Sequence, residues 1–149
     1  MGQDMPERNQ ISLDWIVERS SLCDSAIYPF CALDPTRTLA ELKLAVIYQD
    51  GFPVSHGHTL ILPRRHIGNI FEATYAEQVA LHRALKQAKE ILDDRFRPDG
   101  YNIGINQGSA AGQTVQHLHI HLIPRYKGDQ EDPRGGIRWV LPEKAKYWE

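Results

Sequence analysis

The 149-residue sequence predicts an α+β fold, an antiparallel sheet with one long helix laid over one of its faces. Three observations carry that expectation. A capped, amphipathic helical stretch sits in the middle of the chain, two strand-like apolar runs precede it, and two more follow it. The order strand, strand, helix, strand, strand suits an antiparallel sheet covered on one side. No repeat, low-complexity tract or linker divides the chain, so a single domain is expected over residues 1–149.

Taken in order, "SLDWIVERS" (12–20) reads as a short N-terminal helix, with Ser12 as N-cap and Leu13, Ile16 and Val17 on one face. "ELKLAVIYQD" alternates and then becomes continuously apolar, a strand ending near Asp50. Gly51, Pro53 and Gly57 mark a turn, and "HTLILP" follows as its antiparallel partner. Thr74 and Glu77 form a capping-box pair at the start of the long helix. Leu81, Leu85, Ala88, Ile91 and Leu92 make its apolar stripe, and Arg97-Pro98 with Gly100 end it. "YNIGIN" and "QHLHIHLIP" are the last two strands, joined by "QGSAAGQT". In the tail, 127–149, Pro and Gly argue against a long regular element, while Trp139, Tyr147 and Trp148 argue for packing on the domain or on a partner subunit.

A hydrophobic content of 42% with 24% charged residues is that of an ordinary globular protein. The formal net charge of −2 argues against a nucleic-acid or membrane-surface binder. No apolar run approaches the ~20 residues that span a bilayer, and the polar "MGQDMPERNQ" reads as neither signal nor transit peptide. Two cysteines, Cys23 and Cys31, are too few for a disulfide framework, so a reduced, cytoplasmic protein is expected.

The chemistry centres on "HLHIHLI", where His117, His119 and His121 alternate with Leu118, Ile120 and Leu122. In a strand the three imidazoles share one face and the three aliphatic side chains the other. Three readings compete. A purely structural row needs a hydrogen-bond partner for every buried ring. A single metal cannot take both outer rings, since residues four apart in a strand are separated by roughly 13 Å; ligands from His56, His58, His66 or Cys31 are then required. In the third reading one neutral imidazole attacks phosphorus and its neighbours donate to phosphate oxygens. His119 suits the nucleophile because it alone has a triad neighbour on either side. The preceding "NQGSAAGQTV" offers Asn106, Gly108, Ser109, Gly112, Gln113 and Thr114, small and polar residues fit to cradle a phosphate. It is no Walker loop, since it lacks the Lys-Ser/Thr pair and leads into a strand.

"HLHIHLI", "DGFPVSHGHTLILPRRH" and "NQGSAAGQTVQHLHIHLIPR" together resemble the histidine triad (HIT) superfamily of nucleotide hydrolases and transferases. The similarity runs over about 42–125, and the Gly-Gln-Thr-Val and Ile-Pro-Arg flanks look closest to the dinucleoside polyphosphate hydrolase branch. It implies a HIT-like fold, with an antiparallel sheet of about five strands, one long helix and a short N-terminal helix. It further implies that His119 carries a nucleotidyl phosphoramidate, that His121 contacts the phosphate and that His117 supports the site. Gly112, Gln113, Thr114 and Val115 are then implied to hold phosphate oxygens, Asn106 to line the phosphate side, and Asp50 to accept from ribose hydroxyls.

The implied function is cleavage at the α-phosphate of an adenine nucleotide conjugate, either a dinucleoside polyphosphate or a phosphoramidate. The alternatives are a nucleotide-binding module without turnover and a metal-dependent hydrolase. The resemblance implies a homodimer and no obligatory cofactor, although Mg²⁺ can accompany a polyphosphate. Many bacterial members hold a structural zinc with a Cys-x-x-Cys pair and downstream histidines. Here Tyr28 stands where the first cysteine belongs, so no metal is assigned; Cys31, His66 and His117 are what remains of such a site. His56 is expected at the surface.

Overall fold

A computed structural model describes residues 29–148, so the short helix expected at 12–20 lies outside the described residues. Asp34 opens a 3₁₀ turn, Pro35–Arg37, by accepting from the Thr36 N–H at 2.8 Å. Strand β1, Thr38–Glu41, then turns back directly into β2, Ala45–Gln49. The sequence reading takes this stretch as one strand; the structure makes it a hairpin, closed by Leu42 N–H donating to Ala45 O at 2.8 Å. The alternation of apolar and polar residues runs straight through "ELKL", and no Gly, Pro or Asn marks the reversal.

β3, Thr59–Pro63, pairs antiparallel with β2, and the helix α1, Tyr75–Phe96, follows. β4, Gly100–Gly104, and β5, Ile120–Arg125, complete a five-stranded sheet in the order β1-β2-β3-β5-β4, antiparallel throughout. The α+β expectation therefore holds. β5 is shorter than the sequence suggests, because pairing with β3 begins at Ile120; His117 and His119 lie on the approach to the strand. Alternation survives there all the same. Leu118, Ile120 and Leu122 are buried with Ala45, Ile47 and Ile61 against Leu81, Ala84, Ala88 and Leu92 of α1.

The other face of the sheet carries Tyr48, Leu60 and Leu62, a second apolar cluster covered by Phe30 and Leu33. Leu60 lies directly across from His121, which places the histidines on this second face. The two faces have separate jobs: one stores the core and the other presents chemistry.

α1 starts as expected. Thr74 accepts from the Glu77 N–H, and the Glu77 carboxylate accepts from the Thr74 N–H at 2.8 Å. The same carboxylate takes a bidentate pair from Arg65, at 2.7 and 2.8 Å, which ties the segment after β3 to the helix start. The Arg65 hydrogen bond is the chief reason that Glu77 sits below the usual carboxylate range. At the far end Arg97 adopts the left-handed region, φ 48°, and Pro98 forbids another turn.

The tail packs back on its own domain. A 3₁₀ turn, Gly136–Val140, sets Ile137 beside Gly104 of β4, and a single helical turn, α2, follows at Pro142–Ala145. Trp139 donates from Nε1 to Arg134 O at 2.8 Å, and the Arg134 guanidinium lies 4.6 Å from the centre of the Trp148 ring. Val140 and Leu141 stay exposed. Among the described residues, no helix is long and apolar enough to cross a membrane.

Glu77→Ala removes both the reciprocal cap and the partner of Arg65. A loss of about 2–3 kcal/mol in urea unfolding is expected, and Glu77→Gln, which keeps an acceptor for the cap, should lose less.

Candidate active site

The site is assembled where β2, β3 and β5 end beside the loop that joins β4 to β5. His121 stands in β5, His119 and His117 precede it, and Asp50 and His58 bound the turn between β2 and β3. Asn106 follows β4, two residues past Gly104, which pairs with His121 across the sheet.

Each triad imidazole has a fixed partner. His119 Nδ1 lies 2.8 Å from the carbonyl oxygen of His117. A carbonyl only accepts, so Nδ1 carries the proton and the neutral ring keeps its lone pair on Nε2. His117 Nε2 lies 3.0 Å from Pro63 O and donates to it for the same reason, which leaves His117 Nδ1 bare. His121 Nδ1 lies 3.0 Å from His58 Nε2. The rings of His119 and His121 meet edge to face at 5.0 Å, and Phe30 closes over His119 at 5.3 Å.

Burial disfavours the charged form of His121, His58 and His117. His121 is pushed down to about 4, first by burial and then by the neighbouring His119 and His58, with Asp50 opposing. His58 and His117 are also lowered, in both cases chiefly by burial. The lone pair that the Nδ1 hydrogen bond leaves on His119 Nε2, beside imidazole N–H donors, is the combination a phosphate site needs.

The glycine loop is held from inside. The Gln113 side chain accepts from the Gly108 N–H at 2.8 Å and donates to Gly68 O at 2.8 Å and to Val115 O at 3.2 Å. Its own N–H donates to Gly108 O at 3.1 Å. Gln113 is therefore buried and spent on the loop, whereas Gly112 and Thr114 face outward. Among the described residues, the N–H groups of Thr114 and Val115 enter no backbone hydrogen bond. Gly108 and Gly112 have φ of 82° and 84°, and a Cβ at either would meet nothing within 4 Å, so conformation rather than crowding demands glycine.

Asp50 Oδ1 accepts from the Phe52 N–H at 2.7 Å, and Oδ2 lies 3.5 Å from His58 Nε2. His56 is exposed, edge-on to Phe96 at 4.5 Å.

A second cluster lies behind the triad. His117 Nδ1 faces His66 Nδ1 at 3.3 Å and Cys31 Sγ at 3.6 Å, and Cys31 Sγ lies 3.5 Å from His66 Nδ1. These three ligand atoms are close enough to share one ion. One sulfur and two imidazole nitrogens suit a borderline-soft divalent metal, and the bare Nδ1 of His117 is the ligating form. Against the expectation of reduced thiols, Cys31 is disulfide-bonded, so ligation by this set requires its reduction.

The structure thus brings His117, His119, His121 and Asp50 together, with the glycine loop leading into His117 and Asn106 two residues beyond the end of β4. Sequence reasoning missed His58 as a member of the site. Its parity with Leu60 and Leu62 on β3 is legible, but the pairing of β3 with β5 that brings it to His121 is not.

A family model described as the HIT domain matches residues 33–128. Protein hit of Bacillus subtilis is 38% identical over 96 residues, covering 64% of this chain and 66% of that protein. Bis(5'-nucleosyl)-tetraphosphatase (asymmetrical) of Schizosaccharomyces pombe is 34% identical over 87 residues, 58% of this chain and 48% of its own length. The crystal structure of a Zn-bound histidine triad family protein from Mycobacterium smegmatis matches with a TM-score of 0.61 at 29% identity, over 72% of this chain and 76% of that one. The chain spans about half to three quarters of the length of the curated relatives it matches.

The lowered histidines make stability depend on pH. In the unfolded chain His121 takes up a proton near 6.5, in the fold only near 4, so between these values the unfolded state binds more protons. Stability should therefore fall as pH drops from 6.5 towards 4. His121→Asn should flatten that part of a plot of urea midpoint against pH, and an unchanged slope would assign the loss to other groups.

Proposed function

The chain belongs to the HIT domain family, and from that premise we propose that it hydrolyses an adenine nucleotide conjugate at the α-phosphate through a nucleotidyl-His119 intermediate. The conjugate is a dinucleoside polyphosphate or a nucleoside phosphoramidate. Relatives named as bis(5'-nucleosyl)-tetraphosphatase, AP-4-A phosphorylase and bis(5'-adenosyl)-triphosphatase support the substrate class.

The observation that carries the mechanism is the 2.8 Å bond from His119 Nδ1–H to the His117 carbonyl. It fixes the tautomer whose Nε2 is nucleophilic. In the first step the Nε2 lone pair forms a P–N bond as the bond from phosphorus to the leaving oxygen or nitrogen breaks. The leaving group departs with that electron pair and takes up one proton. Water then attacks phosphorus, the P–N bond breaks, and its electrons return to Nε2. The proton that water gives up balances the one taken earlier, and the product is the nucleoside monophosphate.

His121 donates from Nε2 to a phosphate oxygen, and the N–H groups of Thr114 and Val115, with Asn106, receive the others. Gly112 lets the loop turn. Gln113 acts by bracing the loop, not by contact. Asp50 keeps acceptor capacity on Oδ2 for ribose hydroxyls, and Phe30 and Leu33, which cover the buried Tyr48, Leu60 and Leu62, offer an apolar surface to the base. None of these steps needs a metal, and Mg²⁺ enters only as a counterion to a polyphosphate.

The test is a panel of diadenosine polyphosphates and adenosine phosphoramidates on wild type and His119→Ala, with a trap for adenylylated protein. A loss of roughly a thousandfold or more is expected in the variant. Full activity in His119→Ala would falsify the nucleophile assignment. AMP binding without cleavage of any conjugate would make the chain a binding module.

A zinc held by Cys31, His66 and His117 fits the donor set and has a Zn-bound relative as its parallel. Its role would be structural: by fixing His117 it would steady the carbonyl that orients His119. Metal analysis after purification under reducing conditions should find zinc in wild type and less in His66→Asn. Equal content in both would detach His66 from any metal.

A further inference from the structure

His58 is buried on the histidine face and has no part in the chemistry proposed for His119, yet its contacts fix its proton. The Val54 N–H donates to His58 Nδ1 at 3.3 Å. A nitrogen that accepts from an amide carries no hydrogen, so the ring is neutral and its proton lies on Nε2. That N–H faces two acceptors, His121 Nδ1 at 3.0 Å and Asp50 Oδ2 at 3.5 Å. The shorter contact makes His121 Nδ1 an acceptor, which confines the proton of neutral His121 to Nε2. The three groups are also close enough to share a cation. The Val54 bond argues against one, because it leaves His58 Nε2 protonated and so unable to ligate.

We propose that His58 is a positioning residue that holds His121 as an Nε2–H donor to the phosphate and couples that donor to ribose binding at Asp50. The proposal rests on the nucleotidyl-transfer reading of the site. Without a nucleoside, the His58 proton is shared between an imidazole and a carboxylate. Asp50 Oδ1 is already engaged by the Phe52 N–H, so Oδ2 is the oxygen that both His58 and a ribose hydroxyl must use. A hydroxyl donating to Oδ2 weakens its pull, and the His58 proton passes more fully to His121. His121 is then held more firmly in its donor tautomer. Recognition of the sugar is thereby felt at phosphorus, so it appears in kcat and not in KM alone.

Two substitutions separate this role from a packing role. His58→Asn keeps an acceptor near Nδ1 for Val54 but has no donor that reaches His121. His58→Gln sets an amide N–H near the position of Nε2. Long-range ¹H–¹⁵N spectra of the imidazoles, recorded without substrate, should show His121 as the Nε2–H tautomer in wild type and His58→Gln, and as a mixture in His58→Asn. On adenosine phosphoramidate, kcat should fall about tenfold in His58→Asn and return to within about threefold in His58→Gln, with KM changing less than about twofold.

A 2',3'-dideoxy substrate should lower kcat in wild type and add little to the defect of His58→Asn. An unaltered His121 tautomer in His58→Asn overturns the positioning role, and additive effects of sugar and variant overturn the coupling. A chain that cleaves no nucleotide defeats the proposed function and the coupling together, while the substrate-free spectra still decide whether His58 sets the tautomer of His121.

Discussion

Leu118, Ile120 and Leu122 press into the core beside α1, and in an extended chain that burial turns every intervening side chain to the opposite face. The intervening side chains are His119 and His121, and His117, one residue before Leu118, continues the alternation. Exposing the three aliphatic groups would cost several kcal/mol at about 25 cal/mol per Å² of apolar area, and a one-residue slip would exchange them for imidazoles in the core. The hydrophobic effect therefore sets the register of the site. The capping box and the Arg65–Glu77 pair fix where α1 begins, and with it the surface against which that register is read.

Once the rings share a face, backbone carbonyls decide what each can do. Pro63 O takes the Nε2 proton of His117, and the His117 carbonyl takes the Nδ1 proton of His119. Adjacent histidines thus end in opposite tautomers. His117 turns a bare Nδ1 towards Cys31 and His66, while His119 keeps a bare Nε2. Desolvation reinforces the arrangement, since it disfavours the charged form of every ring it reaches. His117 joins the two clusters, because its ring belongs to one and its carbonyl serves the other.

Much of this could be read before any coordinates. The start of α1 follows from Thr74 and Glu77, because a cap is a local contact three residues long. The shared face of the histidines follows from period two. The β1–β2 reversal could not be read, since "ELKL" has strand chemistry throughout and only the pairing of Leu42 with Ala45 reveals the turn. Gln113 looks like a phosphate donor in sequence, yet its amide is consumed by Gly68, which lies 45 positions away along the chain.

By itself, then, the sequence determined the α+β class, the helix and its cap and the shared face of the histidines, because local propensity and short-range periodicity encode each of them; the place of Asp50 beside those histidines was implied by the family resemblance alone. Tertiary structure alone decided that β3 lies beside β5, bringing His58 to His121, and it set Cys31 and His66, grouped in sequence only through the family resemblance, against the ring of His117. The physical reason is common to all of these. A tautomer or a ligand set depends on atoms within about 3–4 Å, and those atoms come from residues whose separation along the chain carries no periodic signal.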